Sequence, residues 1–491
     1  AVTITSWMVP GLGAKPDYHY EDIVAQYCHP DLDWGAIPGR PKEASELLQV
    51  QVFIRHGSRV QCGAGFCWEG NSEGNFTCGL NYLDSSIGKS SQPLTPSFRT
   101  QYIDGKNLLP GNCLVGQLVE SGFAMEQLNG KRLREAYVEA ENLLPEAWWS
   151  ANVHSKAFFR STDIPRTKQS AMALITGLVG RPGADGIPPM RLMTMDFAKE
   201  NMIVNKRVCP AVESKEKEFY RSLSKETRHE LLSLCASLNP KKKTVKECNL
   251  WLSHLIDCLM SRICKTVPFH PRNTTVPAKF FDNESALMRR VWEVVDQTAW
   301  QYFQAMTSAG AFGSLTNEIL KAADIAAGRF PDNSTQKLLV YSGHDTGPME
   351  PLYAALGLRT EPPFWPPFAS MLSMELWNST SGPLVRFVLN SKVVVNATPW
   401  DKYREHFKAL SKTAANCTAT SSPQAPALWT ATVEWQPTVR CTLSAVGWAF
   451  VSIVALAAVA FLIRRGRRLQ MRGCEEAGTL VALKNPSWSE L

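Results

Sequence analysis

The stretch that decides the fold is Leu48-Gln-Val-Gln-Val-Phe-Ile54, which runs straight into Arg55-His56-Gly57-Ser58-Arg59. An alternating run of this length, rich in β-branched residues, predicts a strand, and the abrupt polar cluster marks its end. Two further stretches repeat the pattern. Val153-His-Ser-Lys-Ala-Phe-Phe159 precedes Arg160-Ser161-Thr162-Asp163-Ile164-Pro165-Arg166, and Lys337-Leu-Leu-Val-Tyr341 precedes Ser342-Gly343-His344-Asp345-Thr346. Strands alternating with helical patterns predict an α/β fold with a doubly wound, mostly parallel sheet. In such sheets ligands bind beyond the carboxyl ends of the strands. If the three strands are neighbours, two histidines, several arginines and an aspartate converge on one pocket.

Around these stretches the chain divides by composition. Residues 1–45 read as an N-terminal extension and 46–411 as one domain, with its α/β core in 46–180 and 285–400. Residues 62–115 are a Gly/Ser/Asn-rich insertion with four cysteines, and about 185–284 a charged helical cap. Within the cap, Ser214 to Leu238 and Val245 to Cys264 both read as helices, the second placing Leu250, Leu252, Leu255 and Leu259 near one face. From Lys412 to Thr442 a Thr/Ser/Pro/Ala-rich segment predicts an extended stalk.

Leu443 to Ile463 holds 21 residues without a charge. At the helical rise this spans about 31 Å, the thickness of a bilayer's hydrocarbon core. Arg464, Arg465, Arg467 and Arg468 follow at once, so the positive-inside rule puts the tail, 464–491, in the cytoplasm and the domain outside it. Twelve of the thirteen cysteines precede the span, as do the Asn-X-Ser/Thr sites at Asn75, Asn273, Asn283, Asn333, Asn378 and Asn416. Asn396 also fits the pattern, but Pro399 makes it a poor acceptor. Together these features predict a type I membrane glycoprotein of the secretory, endolysosomal or cell-surface system, stabilised by disulfides. Such a route implies a leader peptide, absent from this sequence and expected to have been removed. In the tail, Cys474 and the dileucine-like Glu476–Val481 read as ordinary tail residues.

A formal charge of +7, much of it in the tail, and no basic tract interleaved with aromatics argue against a nucleic-acid partner. Lys241-Lys242-Lys243 reads as a solvated loop. The strand-end residues suit phosphoryl transfer instead. Arginines offer forked, permanently charged donors to a phosphoryl group whose transition state spreads charge over three oxygens. A neutral imidazole is a competent nucleophile toward phosphorus, and a carboxylic acid can protonate the departing oxygen. This inventory needs neither metal nor cofactor.

Arg55-His56-Gly57-Ser58-Arg59 and His344-Asp345 resemble the two signature motifs of the histidine acid phosphatases. Gly116-Gln117-Leu118 with Gly122, Gly130, Arg134 and Tyr137 is similar to a helix of that family, and Arg160–Asp163 with Arg166-Thr167 and Ser170-Ala171 to another of its segments. Pro367–Ser370 and Glu375-Leu376-Trp377 are similar to its strand region after the His-Asp motif. The resemblance implies that His56 is the nucleophile, that Arg55, Arg59 and Arg166 clamp the phosphate with a further hydrogen bond from His344, and that Asp345 is the acid. It implies a structural role for Arg160. It further implies a phosphomonoester substrate and an acidic optimum, expected here from the need for a protonated Asp345. Gly57 would keep the backbone clear of the phosphate. One departure stands out: Gln61 occupies a position where the family commonly has proline, and a disulfide at Cys62 is an alternative stiffener. Two rivals remain, a narrow-specificity relative acting on a phosphosugar or lysophospholipid phosphate, and a non-catalytic receptor that kept the fold. The oligomeric state is open, a homodimer being one option.

Overall fold

The computed structural model describes residues 27–28, 34–62, 67, 76, 78, 103, 109, 111, 113–145, 148, 156–180, 190–264, 286–330, 336–358 and 365–418. In chain order, strand β1 (Glu46–Arg55) leads to helix α1 (Glu120–Leu133) with a π-helical continuation (Arg134–Glu139), then β2 (Ala157–Thr162), α2 (Pro165–Val179) and β3 (Met193–Met195). The cap follows as α3 (Ala211–Ser222), α4 (Lys225–Leu238), α5 (Val245–Cys264) and α6 (Ala286–Ser308). After α7 (Gly313–Ala326) come β4 (Leu338–Gly343), α8 (Met349–Leu356), β5 (Met371–Asn378), β6 (Leu384–Leu389), β7 (Lys392–Pro399), α9 (Trp400–Lys412) and the short α10 (Ala415–Thr418).

The seven strands form one sheet in the order β3-β2-β4-β1-β5-β6-β7. β3, β2, β4 and β1 pair in parallel, whereas β1 with β5, β5 with β6 and β6 with β7 pair antiparallel. The sheet is therefore mixed, not mostly parallel. The cause lies in the connections: β6 and β7 are joined by Asn390 and Ser391 alone, both at positive φ (49° and 61°). A two-residue turn of that kind joins only antiparallel neighbours.

Leu48–Ile54 lies in β1, the central strand of the seven. Val50, Val52 and Ile54 pack with Leu174, Leu178, Leu338 and Val340 on one face of the sheet. Phe53 packs with Leu315, Ile319, Leu339 and Tyr341 on the other. The alternating glutamines do not reach water. Gln51 Nε2 donates to the Ile319 carbonyl at 3.0 Å and Gln49 Nε2 to that of Ala322 at 3.1 Å, so each buried amide is tied to α7.

The cap departs from its expected bounds, since Met193–Met195 join the sheet as β3 and α6, expected in the α/β core, packs with the cap helices. From Ala211 on, the described elements of the cap are helices around an apolar centre in which Leu252, Leu255 and Leu259 are buried. Leu250 is not part of that face; it is 43% exposed. Two residues earlier than Leu252 on a helix means about 200° of rotation, which turns it outward. The expected single helix from Ser214 to Leu238 is two. It breaks at Leu223, and Ser224 caps the second by accepting from Thr227 N at 3.1 Å. The second predicted strand begins later, at Ala157, and takes in Arg160-Ser161-Thr162.

Five disulfides are present among the described residues: Cys28–Cys264, Cys67–Cys258, Cys78–Cys113, Cys209–Cys417 and Cys235–Cys248. Cys62 is unpaired. Its loop is held instead by backbone bonds from Val60 N to Gln117 O (3.0 Å) and Gly116 N to Gln61 O (2.8 Å). Residues expected to start the stalk belong to the domain, because α9 runs to Lys412 and buried Cys417 is bonded to Cys209.

Compact units divide at Ser422 and Pro423. The rest of the stalk, the apolar segment 443–463 and the tail lie outside the described residues, as do Asn75, Asn273, Asn283 and Asn333. Asn378 and Asn396 are exposed. Among the described residues no helix is long and apolar enough to cross a membrane.

Closing so long a loop makes Cys209–Cys417 an effective constraint on the unfolded chain. Cys417→Ala is expected to lower unfolding stability by about 2–4 kcal/mol, measured by thermal denaturation without reductant. An unchanged midpoint would return residues 412–418 to the stalk.

Candidate active site

The order β2-β4-β1 sets the carboxyl ends of three parallel strands side by side. Arg55 stands opposite Gly343, and Ser161 opposite Ser342. The polar clusters that follow each strand therefore meet. Arg55, His56, Arg59, Arg166, His344 and Asp345 all come together, and the loop Pro366–Ser370 closes the fourth side, with Arg55 N bonded to Ser370 O and Ala369 N to His56 O.

Packing alone requires glycine at position 57. A Cβ there would lie 2.1 Å from the Gly122 carbonyl oxygen, and one on Gly122 would lie 2.1 Å from Ser58 O. The start of α1 thus presses directly on the loop backbone, which only two glycines allow.

His56 is fully buried. Its Nδ1 lies 2.9 Å from the Gly57 carbonyl. A carbonyl only accepts, so Nδ1 carries the proton and Nε2 bears the lone pair. Arg59 Nε, 3.3 Å away, donates to that nitrogen. Burial first, then the Arg59, Arg166 and Arg55 guanidiniums, push the imidazole well below its ordinary pKa. His56 is neutral with Nε2 free of a proton, the form a nucleophile needs.

Arg55 is held through both of its terminal nitrogens. It donates to Pro366 O at 2.5 Å and to the Tyr27 hydroxyl at 2.7 Å, and pairs with Asp345 Oδ2 at 3.0 Å. Its guanidinium also lies over the Phe368 ring, 4.4 Å from the centroid. Arg59 makes a forked pair with Asp257, Nη1 to Oδ2 at 3.1 Å and Nη2 to Oδ1 at 2.7 Å. Arg166, on the first turn of α2, donates from Nη2 to His344 Nδ1 at 3.3 Å. That leaves the His344 proton on Nε2, which gives it to Thr162 Oγ1 at 3.1 Å. Without a ligand, the His344 donor expected to reach phosphate rests on Thr162, and the other ring nitrogen holds Arg166.

Asp345 accepts from Trp365 Nε1 at 2.5 Å and from Thr346 N at 2.9 Å. Burial opposes its charge, but Arg55, the Trp365 hydrogen bond and Arg59 outweigh it and bring the carboxyl down to about 2. The ligand-free site thus holds Asp345 ionised at any ordinary acidic pH. The expectation that acid protonates this residue directly is corrected by the charge beside it. Arg160 takes no part in the pocket: Glu200, Glu318 and Asn201 surround its guanidinium at 2.6–2.8 Å.

Three residues of the site escaped the sequence reading. Tyr27, Asp257 and Trp365 lie far in sequence from the groups they hold. Two carried a signal nonetheless. Asp257 interrupts the apolar run Leu255-Ile256-Asp257-Cys258-Leu259, and a charge on a buried helix face calls for a buried partner. Tyr27 adjoins Cys28, which pins it. No group of His, Cys, Asp and Glu among the described residues could hold a metal ion.

Comparison with known proteins agrees with this geometry. The model of the histidine phosphatase superfamily (branch 2) matches residues 46–390. Counting factor 60 of Dictyostelium discoideum is 28% identical over 360 residues, covering 70% of this chain and 79% of that protein. Lysophosphatidic acid phosphatase type 6 of Bos taurus is 28% identical over 359 residues (68% and 74%), and 2-phosphoxylose phosphatase 1 of Danio rerio 24% over 385 (72% of each).

The lowered Asp345 value has a sign that can be measured. A depressed carboxylate contributes stability above its ordinary value and loses it as pH falls through the folded value. Wild type is expected to exceed Asp345→Asn by about 2 kcal/mol near neutral pH, the gap closing between about pH 4 and about pH 2. Chemical denaturation across that range reads it. A gap independent of pH would mean that Asp345 is not held ionised.

Proposed function

The chain belongs to branch 2 of the histidine phosphatase superfamily, and from that premise we propose that it is a membrane-anchored acid phosphatase working through a phosphohistidine. The observation that carries the reading is the deprotonated Nε2 of buried His56, with Arg59 on it and Arg55 and Arg166 beside it.

The chemistry follows from those placements. The Nε2 lone pair attacks phosphorus while the ester P–O bond breaks, and the guanidiniums take up the charge on the equatorial oxygens. The departing oxygen needs a proton, and Asp345 is the acid placed to supply it. Since Arg55 keeps Asp345 ionised in the empty site, that proton arrives with the substrate. A phosphomonoester's second pKa is about 6, so in acid it enters as the monoanion. Its charge offsets Arg55, which lets Asp345 take the proton and pass it to the leaving oxygen. In the second step water attacks the phosphoimidazole, Asp345 accepts a proton, and the P–N bond breaks to release phosphate. The acidic optimum then reflects the substrate's protonation more than that of Asp345 alone.

Anchoring rests on the apolar segment 443–463 with its arginines, and a lumenal or extracellular domain on five disulfides and the sequons. Relatives named for 2-phosphoxylose and lysophosphatidic acid favour a narrow substrate as the second reading. Comparing small phosphomonoesters with phosphosugars and lysophospholipid phosphates decides between them. The complete charged set argues against a non-catalytic receptor.

Leaving-group dependence tests the assignment of roles. Measured as kcat/KM, which ends at cleavage of the ester bond, Asp345→Asn is expected to slow alkyl phosphates by at least about 100-fold while largely sparing aryl esters, whose oxygen departs without a proton. For both, kcat falls, because the second step also uses Asp345. His56→Ala is expected to abolish both. Equal losses for alkyl and aryl esters in Asp345→Asn would remove Asp345 as the acid, and full activity in His56→Ala would end the enzyme reading.

A further inference from the structure

Asp257 belongs to none of the strand-end clusters. It projects from cap helix α5, yet both of its carboxylate oxygens close on Arg59, in a pair whose side chains are only 5% and 11% exposed. A guanidinium is planar and offers its N–H groups along two usable edges. Asp257 occupies the edge formed by Nη1 and Nη2. The other edge, Nε with the second N–H of Nη2, then faces His56, with Nε 3.3 Å from Nε2. That edge points at the atom to which phosphorus would bond. Two weaker contacts remain: Nη1 donates to the Val60 carbonyl at 3.1 Å, and the guanidinium lies over the Phe368 ring at 5.8 Å from its centroid. Of the contacts of Arg59, only Asp257 takes two N–H groups at once.

The position of Asp257 is fixed covalently. Cys258, the next residue, is bonded to Cys67 beyond the strand-end loop, and Cys264 at the end of the same helix to Cys28. Tyr27 beside Cys28 holds Arg55. One cap helix therefore reaches two arginines of the clamp, each through a residue adjoining a cysteine.

Asp257 also changes the pocket's charge. Arg55 is paired with Asp345 and Arg59 with Asp257, while Arg166 has no carboxylate within ion-pair distance among the described residues. The groups that face Asp257 from other elements are Arg59 after β1, Tyr27 in the N-terminal segment, Arg166 on α2, and Cys62 beside both arginines. Burial keeps the Tyr27 phenol protonated. On α5 itself, His254 bonds the Leu250 carbonyl and Arg262 lies over Phe76, so neither faces it. Burial, and then the nearby Asp345 and Asp296, push the Glu350 carboxyl on α8 well above its ordinary pKa. Within the clamp itself, three guanidiniums meet two carboxylates in direct ion pairs, and both imidazoles are pushed toward the neutral form. One guanidinium is thus left for the ligand's charge, which a monoanion matches and a dianion exceeds.

We propose that Asp257 is a positioning residue that aims Arg59 at the phosphoryl group and makes the pocket select the singly charged form of a phosphomonoester. The turnover arm of this inference rests on the phosphatase reading; the binding arm does not.

The test uses the full-length chain as wild type, Asp257→Asn and Asp257→Glu. It follows kcat/KM for phenyl phosphate from about pH 4 to about pH 8, and the affinity for inorganic phosphate by calorimetry over the same range. In Asp257→Asn the alkaline limb of kcat/KM is expected to move up by about one pH unit. Its phosphate affinity should no longer weaken as phosphate takes its second charge, and Asp257→Glu should return both toward wild type. A profile merely scaled down, with no shift in either variant, overturns the proposal, since a purely structural role would do that. If wild type binds phosphate but hydrolyses nothing, the phosphatase reading fails and the binding shift alone decides this one. If wild type binds no phosphate, both fail.

Discussion

The whole arrangement depends on bringing three guanidinium groups together at one buried strand end. Like charges at such distances repel, and burial strips them of the water that would screen them. Each is held by something specific. Arg55 has Asp345, the Tyr27 hydroxyl, a carbonyl and an aromatic face. Arg59 has both oxygens of Asp257, and Arg166 has the lone pair of His344. Burial first, and then the guanidiniums, depress both imidazoles, so the empty pocket already holds the neutral His56 that attack on phosphorus needs. Arg55 and the Trp365 hydrogen bond meanwhile keep Asp345 ionised until substrate brings its proton.

Seen this way, the cap has a role beyond covering the sheet. It delivers Asp257 on α5, and Asp296 on α6 accepts from the backbone N–H of Trp365, whose indole bonds Asp345. Disulfides at Cys258 and Cys264 tie α5 to segments far away in sequence. A loop between elements so distant has a high closure entropy, and covalent links reduce that cost before any side chain is placed.

The sequence made the centre of this legible and its edges not. Val50, Val52 and Ile54 alternate with period two, and a polar cluster at a strand end needs no tertiary information to be seen. Arg55, His56, Arg59, Arg166, His344 and Asp345 were therefore all readable, since each follows its own strand within a few residues. Sheet direction was misjudged because it lies in a turn: Asn390 and Ser391 make the last strands a meander, and two residues are easily passed over. Gln49 and Gln51 alternate with those apolar residues, and their amides hydrogen-bond α7, a contact made across 268 residues for Gln51. His344 was assigned to phosphate from its motif, yet its proton direction depends on Arg166 and Thr162, which only the packed structure brings to its ring. Asp257 and Tyr27 had no motif at all. Asp257 shows only as a charge inside an apolar helical run and Tyr27 only as a neighbour of Cys28; which arginine each holds emerges from the packed structure.

The central claim is that His56 Nε2 is the atom that takes the phosphoryl group. The most direct measurement is to quench turnover of a radiolabelled phosphomonoester and map the label on the denatured chain. The account predicts label on His56 as a phosphoramidate, stable in base and lost in acid, and none in His56→Ala. Label on a serine, threonine or carboxylate, or turnover with no labelled chain under single-turnover conditions, would contradict it.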